Sequence, residues 1–169
     1  MSLVLRHGRV VKFAAALAAT LALGACASQT PSEMGAGGGL GGAGAATPGS
    51  QQDFVVNVGD RVFFTADSSD LTTEARGTLD RQSAWLARYA RYTVTVEGHA
   101  DERGTREYNI ALGARRAAAA RDYLISRGVP PTRLKTISYG KERPVAVCDA
   151  DTCWNQNRRA VTVLNGAGS

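Results

Sequence analysis

The sequence predicts a two-layer α/β sandwich with both helices on one sheet face, carried behind a long N-terminal appendage. Three observations predict it. Beyond residue 53, short β-branched runs alternate with segments of helical period. Glycine and proline fall at the joints between those segments. The about 115 residues there suffice for one compact core and are too few for two. No internal repeat is visible, and the 19 glycines have no period of three, which excludes a collagen-like chain.

Phe54-Val55-Val56-Asn57-Val58 and Arg61-Val62-Phe63-Phe64 read as the first two strands, with Gly59-Asp60 turning between them. Thr72 is placed to cap a helix running to about Arg91. Glu74 stands in its first turn, and Ala75, Leu79, Leu86 and Ala90 form one apolar face. Thr93 to Glu97 is β-branched and alternating, hence a strand. Thr105 caps a second helix that ends at Gly128, with Pro130 and Pro131 beyond it. Leu134–Tyr139 and Arg159–Leu164 supply the remaining strands.

The first 53 residues are of another kind. Arg6, His7, Arg9 and Lys12 precede an apolar run from Phe13 to Leu23, interrupted only by Thr20. A basic start and a short apolar segment describe a secretory signal over residues 1–25. The run is too short to span a bilayer as a stable helix. Apart from Met34 and Leu40, residues 27–53 are Gly, Ala, Ser, Thr, Pro and Gln, with Glu33 the only charge before Asp53. Such a segment buries too little apolar area to offset its ordering entropy, so a flexible tether over 26–53 is expected. Its r.m.s. reach is roughly 30 Å and its contour limit about 90 Å. The domain proper is expected at 54–169.

Formal charge is +5, but Arg6, Arg9 and Lys12 belong to the export segment. Without them the balance is close to neutral, and net charge gives no support to nucleic-acid binding.

Polar residues concentrate in Glu97-Gly98-His99-Ala100-Asp101-Glu102-Arg103-Gly104-Thr105, between a strand's end and a helix start. That place favours anions through free backbone N–H groups and the helix dipole. On the helix, Asn109, Leu112 and Arg116 share one stripe, at the border of the apolar face formed by Ile110, Ala117, Ala120 and Leu124. Two readings follow. Asp101 and Arg116 either form a cleft for a zwitterion, the acid taking an ammonium and the guanidinium a carboxylate, or bridge one another and pin the loop to the helix. His99 is expected to hydrogen-bond within its loop. The other histidine, His7, lies in the export segment, so neither a metal site nor a cofactor is expected. A general base would also need an activated nucleophile nearby, and no paired-carboxylate cleft suggests an enzyme.

Cys148 and Cys153 flank Asp-Ala-Asp-Thr in a polar loop. In a cytosolic chain, zinc or redox chemistry would come first. After export to an oxidising compartment, a structural disulfide is expected.

Two resemblances add to this. Leu23-Gly24-Ala25-Cys26 resembles a bacterial lipobox, which implies lipidation at Cys26 and, with Ala27 following, sorting to the outer membrane. The runs "VEGHADERGTREYNIALGARRA", "SYGKERP" and "NRRAV" resemble the OmpA-like peptidoglycan-binding domains of lipoproteins in the Tol–Pal system. The resemblance covers about Val62 to Val163 and implies a βαβαββ domain. It implies noncovalent binding, without cleavage, of the meso-diaminopimelate stem peptide of peptidoglycan. It implies ligand contacts at Asp101, Arg116, Asn109, Leu112 and Asp67, and a TolB-like periplasmic β-propeller protein as partner during division. Arg103 and the Asn157-Arg158-Arg159 run are further candidates. Ala66 stands where the family commonly has a large apolar residue, so one pocket wall is expected to be shallow. That departure is the one hint of an alternative, a protein-interaction module with weak or lost wall binding.

Overall fold

The computed structural model describes residues 46–166. The export segment, Cys26 and the tether to residue 45 lie outside the described residues. Gln51–Asp53 form a single helical turn, α1, which runs into a π-helical turn over Phe54–Val58. Strand β1 is Arg61–Phe63, helix α2 Thr73–Arg88 and strand β2 Thr93–His99. Helix α3 is Arg106–Ser126 and strand β3 Leu134–Gly140. Helix α4, Asp151–Asn157, precedes the last strand β4, Arg159–Asn165. The sheet order is β1-β4-β2-β3, with β2 and β3 parallel and the other pairings antiparallel.

Both long helices begin where their caps stand: Thr72 accepts from Ala75 N and Thr105 from Tyr108 N. They cover the sheet face that carries Val62, Val94, Val96, Ala160 and Leu164, against Leu79, Leu86, Ala117, Ala120 and Leu124. Arg133 closes the end of α2 by donating to Leu86 O, Tyr89 O and Tyr92 O.

Three features depart from the expectations. Phe54–Val58 is not a strand. Phe54 inserts into the core against Trp85, ring centroids 4.9 Å apart, while Val55 and Val56 stay exposed. Gly59 N closes the π turn on Phe54 O at 2.9 Å. Phe54 is the one fully buried residue of the five, and its packing outweighs the β propensity of its neighbours.

The packed unit also starts before residue 54. The Asp53 carboxylate accepts from Gly49 N, Asn57 Nδ2 and Trp85 Nε1, each at 2.8 Å, and Tyr92 Oη donates to Gly49 O. Those bonds hold residues that composition assigns to the tether. Finally, the loop before the last strand contains α4, which was not expected, while the disulfide expected between Cys148 and Cys153 is formed at its start.

Candidate functional site

Strand β2 delivers Asp101 to the base of the second helix. Ala100 N bonds Gly140 O of β3 at 2.8 Å, which ends the parallel pairing. The chain turns through Gly104 at φ +85°, a conformation glycine adopts without strain, and enters α3. Lys141 Nζ ties the turn down by donating to Glu102 O and Gly104 O. From the other side comes the turn after β1, where Asp67 lies at φ 53°, an uncommon region that aspartate tolerates better than most residues. Tyr108, in the first turn of α3, hydrogen-bonds the Asp67 carboxylate and links the two walls.

Between these walls lies a cleft of about 310 Å³. Ala66, Asp67, Asp101, Arg103, Gly104, Tyr108, Asn109 and Leu112 line it. Of the six predicted ligand contacts, five therefore surround one cleft: Asp67, Asp101, Arg103, Asn109 and Leu112. Asp101 is nearly buried. Its carboxylate accepts from Arg103 N at 3.2 Å, Arg103 Nη2 at 2.8 Å and Arg158 Nη1 at 3.1 Å. Burial raises its pKa, but the hydrogen bonds from Arg103 and Arg158 outweigh that and hold it below the usual carboxylate value. Asn109 Nδ2 donates to Arg103 O at 2.7 Å, which fixes the bend of the loop.

Arg116, the sixth, does not line the cleft. It is fully buried beneath it. Nε donates to Ser68 O at 2.8 Å, Nη1 to His99 O at 2.9 Å and Nη2 to Thr65 O at 3.1 Å. The expected alternative, an Asp101–Arg116 bridge, is not formed; Arg103 and Arg158 take the acid instead. Burial pushes the Arg116 pKa down to about 10, opposed by the nearby Asp101 charge, so the group stays cationic at neutral pH. Arg116 thus stitches the turn after β1 to the end of β2 from below.

His99 corrects another expectation. It is buried, and neither ring nitrogen has a hydrogen-bond partner. The Glu97 carboxylate is 3.7 Å from Nε2, beyond bonding distance. Tyr108, Gly104 and the grip of Arg158 on Asp101 were missed by sequence reasoning. Tyr108 carried a usable signal, since it stands four residues before Leu112 on the same helical face. Arg158 stood among the candidates as part of a charged run, but its pairing with Asp101, distant in sequence, carried no signal.

A model of the OmpA family matches residues 63–159, a span that encloses the whole cleft. The chain belongs to the OmpA family. Among relatives, it is 70% identical over 156 residues to a peptidoglycan-associated lipoprotein of Rhizobium meliloti, covering 91% of this chain and 88% of that one. It is 68% identical to the peptidoglycan-associated lipoprotein of Brucella melitensis, covering 92% of each. The crystal structure of the peptidoglycan-associated lipoprotein from Burkholderia pseudomallei superposes with a TM-score of 0.61 at 37% identity, over 62% of this chain and 89% of that one. The C-terminal domain of Helicobacter pylori MotB superposes with a TM-score of 0.58 at 25% identity, over 62% of this chain and 83% of that domain. The OmpA-family fold is thus what places the loop after β2 and the start of α3 around one opening.

Proposed function

We propose that this protein is an outer-membrane lipoprotein whose periplasm-facing domain binds peptidoglycan noncovalently, gripping the meso-diaminopimelate side chain of the stem peptide. The observation that carries this reading is the pairing of acid and guanidinium at one small opening on a helix N-terminus. The distal end of a diaminopimelate side chain bears an ammonium and a carboxylate on one carbon. Asp67 and Asp101 suit the ammonium; Arg103 and the start of α3 suit the carboxylate. Leu112 offers an apolar wall to the methylenes. Arg116 contributes from beneath, as a buried positive charge that also holds both walls in place. The names of the relatives support peptidoglycan as the target.

Anchored at Cys26 in the outer membrane and engaged with the wall, the chain would tether one layer to the other. Modest affinity at each site suffices, because many tethered copies face a lattice of repeated peptides. A TolB-like β-propeller protein is the proposed competing partner, within a Tol–Pal system that maintains envelope integrity and constriction at division. No cleavage is proposed.

Co-sedimentation of the full-length protein in detergent with purified sacculi tests this. The protein is expected to pellet, excess free meso-diaminopimelate to release it, and Asp101→Asn to weaken pelleting by at least tenfold, roughly the cost of one buried charged contact. Pelleting that diaminopimelate leaves untouched would overturn the assignment. Loss of sacculus binding with retained binding to a β-propeller partner would favour the interaction-module alternative that Ala66 suggests.

A further inference from the structure

Helix α4 reaches the cleft loop without lining the cleft. Its N-cap, Ala150, makes no side-chain capping bond, and a helix of this length is marginal alone. Two fastenings hold it. The Cys148–Cys153 disulfide ties its first turn to the preceding loop. At its end, buried Asn157 accepts from Val145 N and Ala146 N and donates to Ala146 O.

Between those fastenings stands Trp154. Its ring centroid lies 4.3 Å from the Arg103 guanidinium carbon, and its indole N–H donates to the Glu102 carboxylate. Glu102 follows Asp101 in the chain, and Arg103 hydrogen-bonds its carboxylate. The residue that follows α4, Arg158, donates to the same carboxylate oxygen of Asp101 as Arg103 and is itself held by Asn155 of α4. Arg103 is half exposed and has no other side-chain support besides Asp101. A half-exposed arginine keeps rotamer freedom that one carboxylate partner only partly removes, and the indole face removes more of it.

We propose that Trp154, fastened by the Cys148–Cys153 disulfide, is a positioning residue for ligand binding: its ring holds the Arg103 guanidinium beside Asp101, so a zwitterion meets a prearranged acid–cation pair. The inference rests on the reading of the cleft given above. It makes the disulfide part of the binding apparatus, although neither sulfur belongs to the opening.

Calorimetric titration of full-length protein in detergent with a soluble muramyl tripeptide ending in meso-diaminopimelate tests it, with Asp101→Asn as reference. Trp154→Ala is expected to raise Kd roughly tenfold while lowering the melting temperature by only a few degrees, because the lost stack on Arg103 and bond to Glu102 lie near the surface. Trp154→Phe keeps an aromatic face and should recover most of the affinity. The Cys148→Ser/Cys153→Ser double variant should weaken binding as well. Combining it with Trp154→Ala should add little, since both act through one contact. Wild-type affinity in Trp154→Ala, equal losses in the Ala and Phe variants, or disulfide and indole losses that multiply would each overturn the inference. If Asp101→Asn binds as wild type, the cleft reading falls and takes this one with it. If Asp101→Asn loses binding while Trp154→Ala does not, only the positioning role falls.

Discussion

His99 and Asp101 are two residues apart and both are buried, yet their environments move them in different ways. His99 has no partner for either nitrogen; burial, with the Arg159 and Arg143 charges, pushes its pKa from 6.5 down to about 4. At neutral pH it is an uncharged, buried ring on the rim of the sheet. Asp101 gains two arginines and stays ionised. The stability consequences can be signed. Between pH 6.5 and 4 the unfolded chain protonates this histidine and the native state does not, so stability falls as pH falls through that window. The loss amounts to about 3 kcal/mol. Below it, Asp53 and Asp101, whose native values are depressed, add a further loss as pH falls through the ordinary carboxylate range. The urea midpoint should therefore drop between pH 7 and pH 4.5, and His99→Phe should flatten that drop. An unchanged slope in the variant would show that the histidine is not its source.

Helix α3 sets the site because it lies unusually close to the sheet. A Cβ on Gly98 would overlap Gly113 O, and one on Gly113 would overlap Ser138 Oγ and stand 2.8 Å from Gly98 O. Ser138 Oγ in turn donates to Ile110 O at 2.7 Å, and Gly140 passes against the backbone of Asn109. This contact fixes the height of the helix start over the Asp101 loop. Gly113→Ala should cost about 3 kcal/mol, at the upper end for overpacking against backbone. Denaturant unfolding measures that cost. Sacculus binding should weaken even where the variant is folded, because the first turn of α3 must shift. A variant of wild-type stability would mean that the crossing relaxes without strain.

For the whole molecule, the proposed function depends on two distant attachments and the chain between them. Cys26→Ser should move the protein out of the membrane fraction of fractionated cells while leaving its binding to isolated sacculi intact. Simultaneous loss of both would mean that lipid and wall attachment are not separable. The ends act as one device only if the intervening chain spans membrane to wall; with Gly49 to Asp53 bonded into the packed unit, the contour limit drops from about 90 Å to about 75 Å.

Much of this was legible before any coordinates. Helix caps at Thr72 and Thr105, the strands at Thr93, Leu134 and Arg159, and the concentration of polar groups after β2 follow from local chemistry, which the residues carry wherever the chain goes. The acid, amide and leucine of the cleft were legible for the same reason, being placed by one strand end and one helical stripe. Only the tertiary structure decided the rest. Phe54 leaves its β-prone neighbours to enter the core, and Asp53 makes a folded segment of residues that composition assigns to a tether. Arg116 turns its donors to three backbone carbonyls and leaves Asp101 to Arg103 and Arg158, with Trp154 behind the first. Each of these depends on a partner remote in sequence, and burial and hydrogen-bond competition choose among such partners only once the chain has closed on itself.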